Sequence, residues 1–506
     1  YEIYQCDWSS DVCSSDLTTG YSFALSKDQT NDMRDSGLAH LISISGLHMA
    51  IVGGFVFFAL RLLVACWPWL ALRVSGKKVA AVGGLLAVGV YLVVSGHPAP
   101  AERAAITASV AFLAVLLDRK AVSFNALAVA AFIVLLLQPE AAVQAGFQMS
   151  FAATTALVAL AEVWPRRIRE IQAPWPITLF QRSVSWVGAA MAVSFVAGLA
   201  TGPFSIQHFN QVASYGLLAN VLESPISTFV TMPALALGAA LETVRLGGPF
   251  LAVAGWGIDA TTEIARLVAR LPGATQAVAC APVAALPISF IGILFVCLWK
   301  GWLRCLGLPF AAAVALWPRG DPPALWVASD GSAVAVREGK RVILMRPKDR
   351  VSDADTWRRR NALKMPLTDA ERQSETDARF SCSRFSCTSR AGSTVRVSGW
   401  WGKRVPTEAE LAELCTGAEV VILRPIVQRL PAFCRQALVL DGADVSKGGS
   451  VELWRTRSGW SGRWSEPARG VRPWTRPPME LVRPRWGEPG PGRLRPLRPN
   501  SDADPD

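Results

Sequence analysis

Nine apolar runs, near 41–63, 79–95, 103–117, 122–138, 146–162, 184–201, 213–243, 248–271 and 284–317, crowd into residues 38–317 of this chain. A hydrocarbon core about 30 Å thick takes roughly 20 helical residues to cross at about 1.5 Å each, so most are of spanning or near-spanning length. Helices satisfy their own backbone hydrogen bonds, which hydrocarbon demands. The expected architecture is an all-α polytopic membrane domain with eight to ten crossings. Residues 213–271 are its loosest part. Glu223 and Pro225 interrupt the run there, and Asp259, Glu263, Arg266 and Arg270 mark 256–270 as an interfacial or cavity-lining segment.

Composition agrees: 51% hydrophobic and 18% charged residues exclude an ordinary soluble protein. The apolar regime ends at Trp317-Pro318-Arg319-Gly320-Asp321-Pro322-Pro323, the clearest domain boundary. From Pro318 onward, 33 Lys and Arg stand against 23 Asp and Glu, which accounts for ten of the chain's twelve net positive charges. That excess suits either phosphate and anionic lipid or plain solubility. Residues 1–17 show no signal-peptide layout and resemble library-adapter sequence translated in frame, so they are set aside. Residues 18–37 are then expected to be the remnant of a periplasmic region.

Lysine and arginine set the orientation. Arg61, Arg73, Lys77 and Lys78 follow the first run, Arg119 and Lys120 the third, and Arg166, Arg167, Arg169 and Arg182 the fifth; the alternating loops 95–102, 139–145 and 202–212 carry neither residue. The first set is therefore expected in the cytoplasm and the second outside. All four histidines, His40, His48, His97 and His208, fall in the outer half, which points to a polar vestibule. HLISISGLHM, 40–49, is its most unusual stretch, with polar groups at the mouth of a spanning run. Read as a continuous helix, Ser43, Gly46, Ala50, Gly53 and Gly54 share one small-residue face suited to close helix approach.

Four stretches in order, RDSGLAHLISISGLHM (34–49), SGHPAPAERAAI (95–106), NALAVAAFIVLLLQPEAAVQAGFQMSF (125–151) and FNQVASYGLLANVLESPIST (209–228), resemble the competence domain of the ComEC family over roughly 20–310. That family comprises inner-membrane DNA channels of bacterial natural transformation. The resemblance implies passage of one DNA strand, with the other degraded. It also implies a periplasmic DNA receptor, a cytoplasmic motor and a separate nuclease as partners, and a periplasmic amino-terminal region largely missing here. Matched position by position, the motif residues are His40, Ser45, Gly46, His48, Arg103, Gln148, Ser150 and Asn220. Arg103, at an outer helix start, is suited to a DNA phosphate. Gln148, Ser150 and Asn220 are expected to satisfy one another.

Many members of that family end in a metallo-β-lactamase-like domain, whose two-metal site needs a histidine cluster of the HxHxDH kind. Residues 321–506 contain no histidine, so no such hydrolase operates here in its usual form, and no catalytic or metal residue is assigned. Short β-like runs across 324–454 and a capped helix at 407–415 predict a folded region over 318–464. It is either a degenerate metallo-β-lactamase-like domain or an unrelated small α+β module, with a disordered Arg- and Pro-rich tail over 465–506. A periplasmic location of this region favours disulfides Cys382–Cys387 and Cys415–Cys434 over a zinc site, because the spacings lack C-x2-C knuckles.

The leading functional expectation is a channel for single-stranded DNA in the bacterial inner membrane, with homo-oligomers open. A transporter of a small solute or lipid on a related scaffold, and a membrane-anchored DNA-binding module, are the alternatives. No cofactor is expected.

Overall fold

The computed structural model describes residues 26–42, 46–164, 174–242, 244–366, 368–457 and 459–469. The adapter-like segment 1–17, the motif serines Ser43 and Ser45, the basic link Arg166, Arg167 and Arg169, and the tail from 470 lie outside them. The chain divides into two units that part at residues 318 and 319.

The first unit is helical: α1 (Lys27–Asp35), a 3-10 turn Ala39–Leu41, α2 (Gly46–Cys66), α3 (Pro68–Ala71), α4 (Gly76–Val94), α5 (Ala99–Leu116), α6 (Phe124–Leu137) and α7 (Ala145–Val163). The 35-residue α8 (Trp175–Phe209) follows, then β1 (Gln211–Ala213), α9 (Gly216–Ile226), a π-turn Ser227–Thr231 and α10 (Met232–Glu242). α11 (Gly248–Ala269), β2 (Thr275–Ala277), α12 (Ala285–Leu298), α13 (Gly307–Ala311) and α14 (Ala313–Leu316) complete it. β1 and β2 pair antiparallel, tying the end of α8 to the segment after α11.

Six stretches among the described residues are long and apolar enough to cross a membrane, fewer than the eight to ten expected. They are His48–Cys66, Gly76–Val94, Ala99–Leu116, Ala145–Val163, Trp175–Phe209 and Gly216–Gly238. The difference has local causes. α6 and α12 have 14 residues each, about 21 Å of helix. α11 carries Asp259, Glu263 and Arg266. The last run does not continue as a span: after Trp299 it breaks into short helices that fold back against α12, where Gly292 and Gly307 leave no room for a Cβ.

The opening motif also differs from expectation. It is not one helix from His40, because α2 begins at Gly46 and His40 sits on the separate 3-10 turn. Of the small-residue face, Gly53 makes the close approach: a Cβ there would meet the Phe112 ring at 2.8 Å and Val88 at 2.9 Å. Gly46 and Gly54 face open space and Ala50 is exposed. The 3-10 turn and α2 are separate elements, so the small residues from 43 to 54 do not share one continuous helix.

The second unit, residues 278–280 and 319 onward, holds two five-stranded sheets. One is antiparallel and built from β3 (Leu325–Val327), β4 (Val334–Glu338), β5 (Arg341–Leu344), β11 (Val451–Thr456) and β12 (Gly459–Trp464), in the order β12-β11-β3-β4-β5. The other, β10-β9-β8-β7-β6, takes β6 (Phe380–Cys382), β7 (Ser386–Ser389), β8 (Val397–Trp400), β9 (Val420–Leu423) and β10 (Leu438–Leu440), with β8, β9 and β10 parallel. Alternate residues point to opposite faces of a strand, and here both faces are covered. Leu325, Val327, Val334, Val336, Val420 and Ile422 meet in the core between the sheets. On the far side of the first sheet, Trp326, Ala335 and Leu344 pack on Ala354 and Trp357 of α15 (Val351–Arg360), and Thr376 of α16 (Asp369–Arg379) donates to the Leu344 carbonyl. On the far side of the second, Trp400, Val421 and Leu423 pack on Leu411 and Leu414 of α17 (Glu408–Cys415). The result is a four-layer helix–sheet–sheet–helix unit, closed by α18 (Gly442–Gly448) and α19 (Ser465–Arg469).

Two disulfides staple it. Cys382 and Cys387 face each other across the β6–β7 hairpin, and Cys415 is bonded to Cys434. Closing a loop of that second length is worth about 3 kcal/mol in the chain-entropy account. Thr407 caps α17 in a reciprocal capping box with Glu410. The Arg404 guanidinium chelates the same carboxylate at 2.7 and 2.5 Å and pushes its pKa down to about 2. A depressed carboxylate contributes stability above its unfolded pKa of about 4.3 and loses it as pH falls toward the folded value. The difference in unfolding midpoint between the parent and Glu410→Gln should therefore shrink as pH drops from about 5 to about 2. The effect is small because the pair is exposed, and chemical unfolding followed by circular dichroism reads it. An unchanged gap across that window would leave the cap without an electrostatic part.

Candidate DNA-path site in the helical unit

The start of α5 is set by Pro98 at the cap and Pro100 in the first turn, where a missing N–H costs nothing. This places Glu102 and Arg103 on the first two turns, about 100° apart around the helix. Glu102 turns toward α6: its Oε2 accepts from Gln138 Nε2 at 2.7 Å, and Oε1 lies 3.8 Å from His97 Nδ1. Arg103 turns toward α7 and is only 7% exposed. Its guanidinium lies over Gly146, where a Cβ would come within 2.7 Å of Nη2. Glycine at 146 therefore makes the berth for the arginine head.

One turn along α7, Gln148 joins two further elements. Its Nε2 donates to the Ala142 carbonyl at 2.8 Å, and its Oε1 lies 2.8 Å from His208 Nε2 at the end of α8. His48 is 2% exposed, beside Met49, which packs with Ala101 and Ala105 at the start of α5. The turn before α2 is seated elsewhere: Leu38, Leu41 and Ile42 pack on Ala219 of α9 and on Ala265 and Val268 of α11. The starts of α2, α5 and α7 and the ends of α6 and α8 thus share one end of the unit. At the opposite end Lys78 pairs with Asp118 at 2.9 Å and Lys77 lies 4.0 Å from it, joining the basic links before α4 and after α5. The polar layer and the basic layer are on opposite sides of the apolar slab.

The structure brings together only part of the motif set. Arg103, Gln148 and His48 lie in the layer. Gly46 faces open space there, His40 stands on its own turn, and Ser45 lies outside the described residues. Gln148, Ser150 and Asn220 do not satisfy one another. Ser150 is exposed, with its carbonyl accepting from Thr154 at 2.8 Å, and the Asn220 carbonyl accepts from Ser224 at 2.6 Å. Gln148 and Ser150 are two residues apart on α7 and so point to different faces, while Asn220 is on α9. Sequence reading missed Gly146 as the partner surface of Arg103, and Glu102–Gln138 and Gln148–His208 as bridges. The glycine opening GFQMSF was the available signal. Among the described residues no three His, Cys, Asp or Glu side chains are grouped to hold a metal ion.

A buried guanidinium is a set of donors suited to a planar or tetrahedral anion, and it shares this end of the unit with the Glu102–Gln138 and Gln148–His208 pairs. Comparison with known proteins gives that layer its context. The chain is 26% identical to ComE operon protein 3 of Bacillus subtilis over 225 residues, covering 44% of this chain and 26% of that protein. It is 27% identical to Recombination protein 2 of Haemophilus influenzae over 220 residues, 43% of this chain and 27% of the relative. With Competence protein ComA of Neisseria gonorrhoeae it shares 26% identity over 343 residues, 65% and 45% of the respective chains. The chain thus spans less than half the length of each of these relatives. No solved structure matches it. Residues 17–303, which include every polar contact of the layer, match the family model described as Competence protein, and the chain is a membrane protein belonging to that family.

Proposed function

We propose that the helical unit is an inner-membrane channel that passes single-stranded DNA into the cytoplasm during natural transformation. The observation that carries this reading is the seating of Arg103 over Gly146 inside a polar layer at one end of an apolar helix bundle. A strand crossing hydrocarbon needs cationic donors for its phosphates, and a desolvated guanidinium supplies them more strongly than a hydrated one. The names of the relatives, two of them competence or competence-operon proteins and one a recombination protein, support the same process. Because the chain covers only part of those relatives, the periplasmic DNA receptor, cytoplasmic motor and separate nuclease belong to this proposal too. The test is uptake of end-labelled DNA by a strain deleted for the gene and complemented with the full chain. Restored uptake supports the channel. Surface-bound DNA that never becomes nuclease-resistant would favour an anchored binding module.

The polar layer faces the periplasm in this reading, and so does the second unit, whose disulfides suit an oxidising compartment. Ala99 and Ala391 are exposed reporters. Cysteine at either should react in intact spheroplasts with an impermeant thiol reagent, above the background of the parent's native cysteines. Protection of Ala99→Cys until lysis would invert the map, and protection of Ala391→Cys alone would place the second unit in the cytoplasm. The four-layer architecture supports a metallo-β-lactamase-like scaffold for that unit. It has no histidine to build the corresponding site, so strand degradation is assigned to another protein. Metal-dependent cleavage of DNA by the purified full chain would contradict that assignment.

A further inference from the structure

A second polar feature lies deeper in the helical unit, away from the DNA-path layer. Glu223 on α9 is 3% exposed, inside the apolar stretch Gly216–Gly238 and about 10 Å of helix from its start. The Ser227 hydroxyl lies one turn on, beside its carboxyl. Pro225 lies between them and removes the N–H that the Val221 carbonyl would otherwise accept from. The helix then widens into the π-turn Ser227–Thr231, a geometry frequent at working sites. Thr231 is pressed against Gly257 of α11, and Thr261 donates to the Gly257 carbonyl at 3.0 Å. Ser227, Thr231 and Thr261 are all buried.

The ionisable groups on the elements packed around α9 do not neutralise this carboxyl. They are Asp28, Asp32, Arg34 and Asp35 on α1, His40 on the following turn, and Arg182 and His208 on α8. On α11, Asp259, Glu263 and Arg266 are exposed, with Glu263 and Arg266 3.6 Å apart. Among the described residues no salt bridge to Glu223 is formed, and Ser227 stands beside it. A lone carboxylate in hydrocarbon is costly, so the group must carry a proton or find water. Hydroxyls both donate and accept, and can pass that proton along.

We propose that Glu223 is a proton-exchange site of the membrane unit, served by the hydroxyls of Ser227, Thr231 and Thr261. It loads from water that reaches the helix break and unloads to it, with only O–H bonds made and broken. The site is independent of the DNA reading.

The test uses the full chain in phosphatidylcholine vesicles and dicyclohexylcarbodiimide, an apolar reagent that adds to a carboxyl in its protonated form. Peptide mass spectrometry should find the adduct at Glu223, with labelling falling about tenfold per pH unit above its midpoint. Glu223→Gln should remove it. Glu223→Asp, which keeps a carboxyl if the glutamine variant fails to accumulate, should still react. Asp259 and Glu263 should instead take up a water-soluble carbodiimide. No adduct at Glu223 in the folded chain at any pH, or an adduct whose yield does not change with pH, would overturn the proposal.

Discussion

Replacing Gly292 by valine should leave little or no folded chain in the membrane. A Cβ at 292 would overlap the Ala311 backbone nitrogen and stand 2.6 Å from the Phe310 carbonyl carbon and 2.8 Å from the Ala311 Cα. These are backbone atoms, so no side chain can swing away. The reverse contact is equally tight, since a Cβ on Gly307 would come within 2.8 Å of the Gly292 carbonyl oxygen. α12 and the short helices after it are therefore held at glycine distance on both sides. Over-packing of this kind costs about 1–3 kcal/mol for an added methylene or two, and more where the backbone must part. Gly292→Ala should lower the unfolding midpoint, and Gly292→Val should prevent accumulation. Gly89 and Gly198, with nothing within 4 Å of a built Cβ, are the controls, and their alanine variants should accumulate normally. Immunoblots of membrane fractions and detergent-resistance assays read the series. Normal accumulation of Gly292→Val would mean that α12 and α13 are not so closely joined.

The second large effect is on transport. Arg103→Ala should reduce DNA uptake by about ten- to a hundredfold, the worth of one or two charge-assisted hydrogen bonds. The burial of this residue changes what the experiment must control. Arg103 is packed over Gly146 and not free at a helix end, so the alanine variant also removes volume, and its accumulation has to be measured alongside. Gly146→Ala is the sharper variant. It keeps the cation and pushes the guanidinium out of its berth, where Nη2 would otherwise sit 2.7 Å from the new Cβ. Uptake should fall about tenfold if position counts, and Arg103→Lys should rescue only in part because lysine keeps charge without the planar fork. Full uptake by Arg103→Ala at normal accumulation would reduce the residue to a packing role.

How much of this was legible depended on whether the signal was local. The α17 cap was readable because Thr407 and Glu410 stand three apart and need nothing beyond their own turn. The strands β3, β4, β5 and β9 were readable as apolar runs, since burial on both sheet faces removes the alternation that a half-exposed strand shows. The hairpin of β6 and β7, rich in serine, arginine and cysteine, gave no such run. In the membrane unit the apolar stretches were plain, but the break of the first helix at Gly46 and the turning back of the last run at Trp299 were not. Both are decided by what packs against them from distant parts of the chain. The site divides the same way. Arg103 announced itself as a cation beside a long apolar run, whereas its berth at Gly146 and the bridge from Gln148 to His208 join residues 43 and 60 positions apart.

α8 has a consequence of its own. At 35 residues it is about 52 Å long, and hydrocarbon is about 30 Å thick. Such a rod cannot be level with both faces of the bilayer. A helix of this length is accommodated by tilting, by kinking at Pro203 or by extending beyond the hydrocarbon. A thicker bilayer stands the rod upright and a thinner one tips it further. Its carboxy-terminal end carries His208, the imidazole that meets Gln148. The polar layer is thereby geared to the thickness of the lipid around it, and the same chain set in short-tailed and long-tailed lipids will hold that layer at different angles.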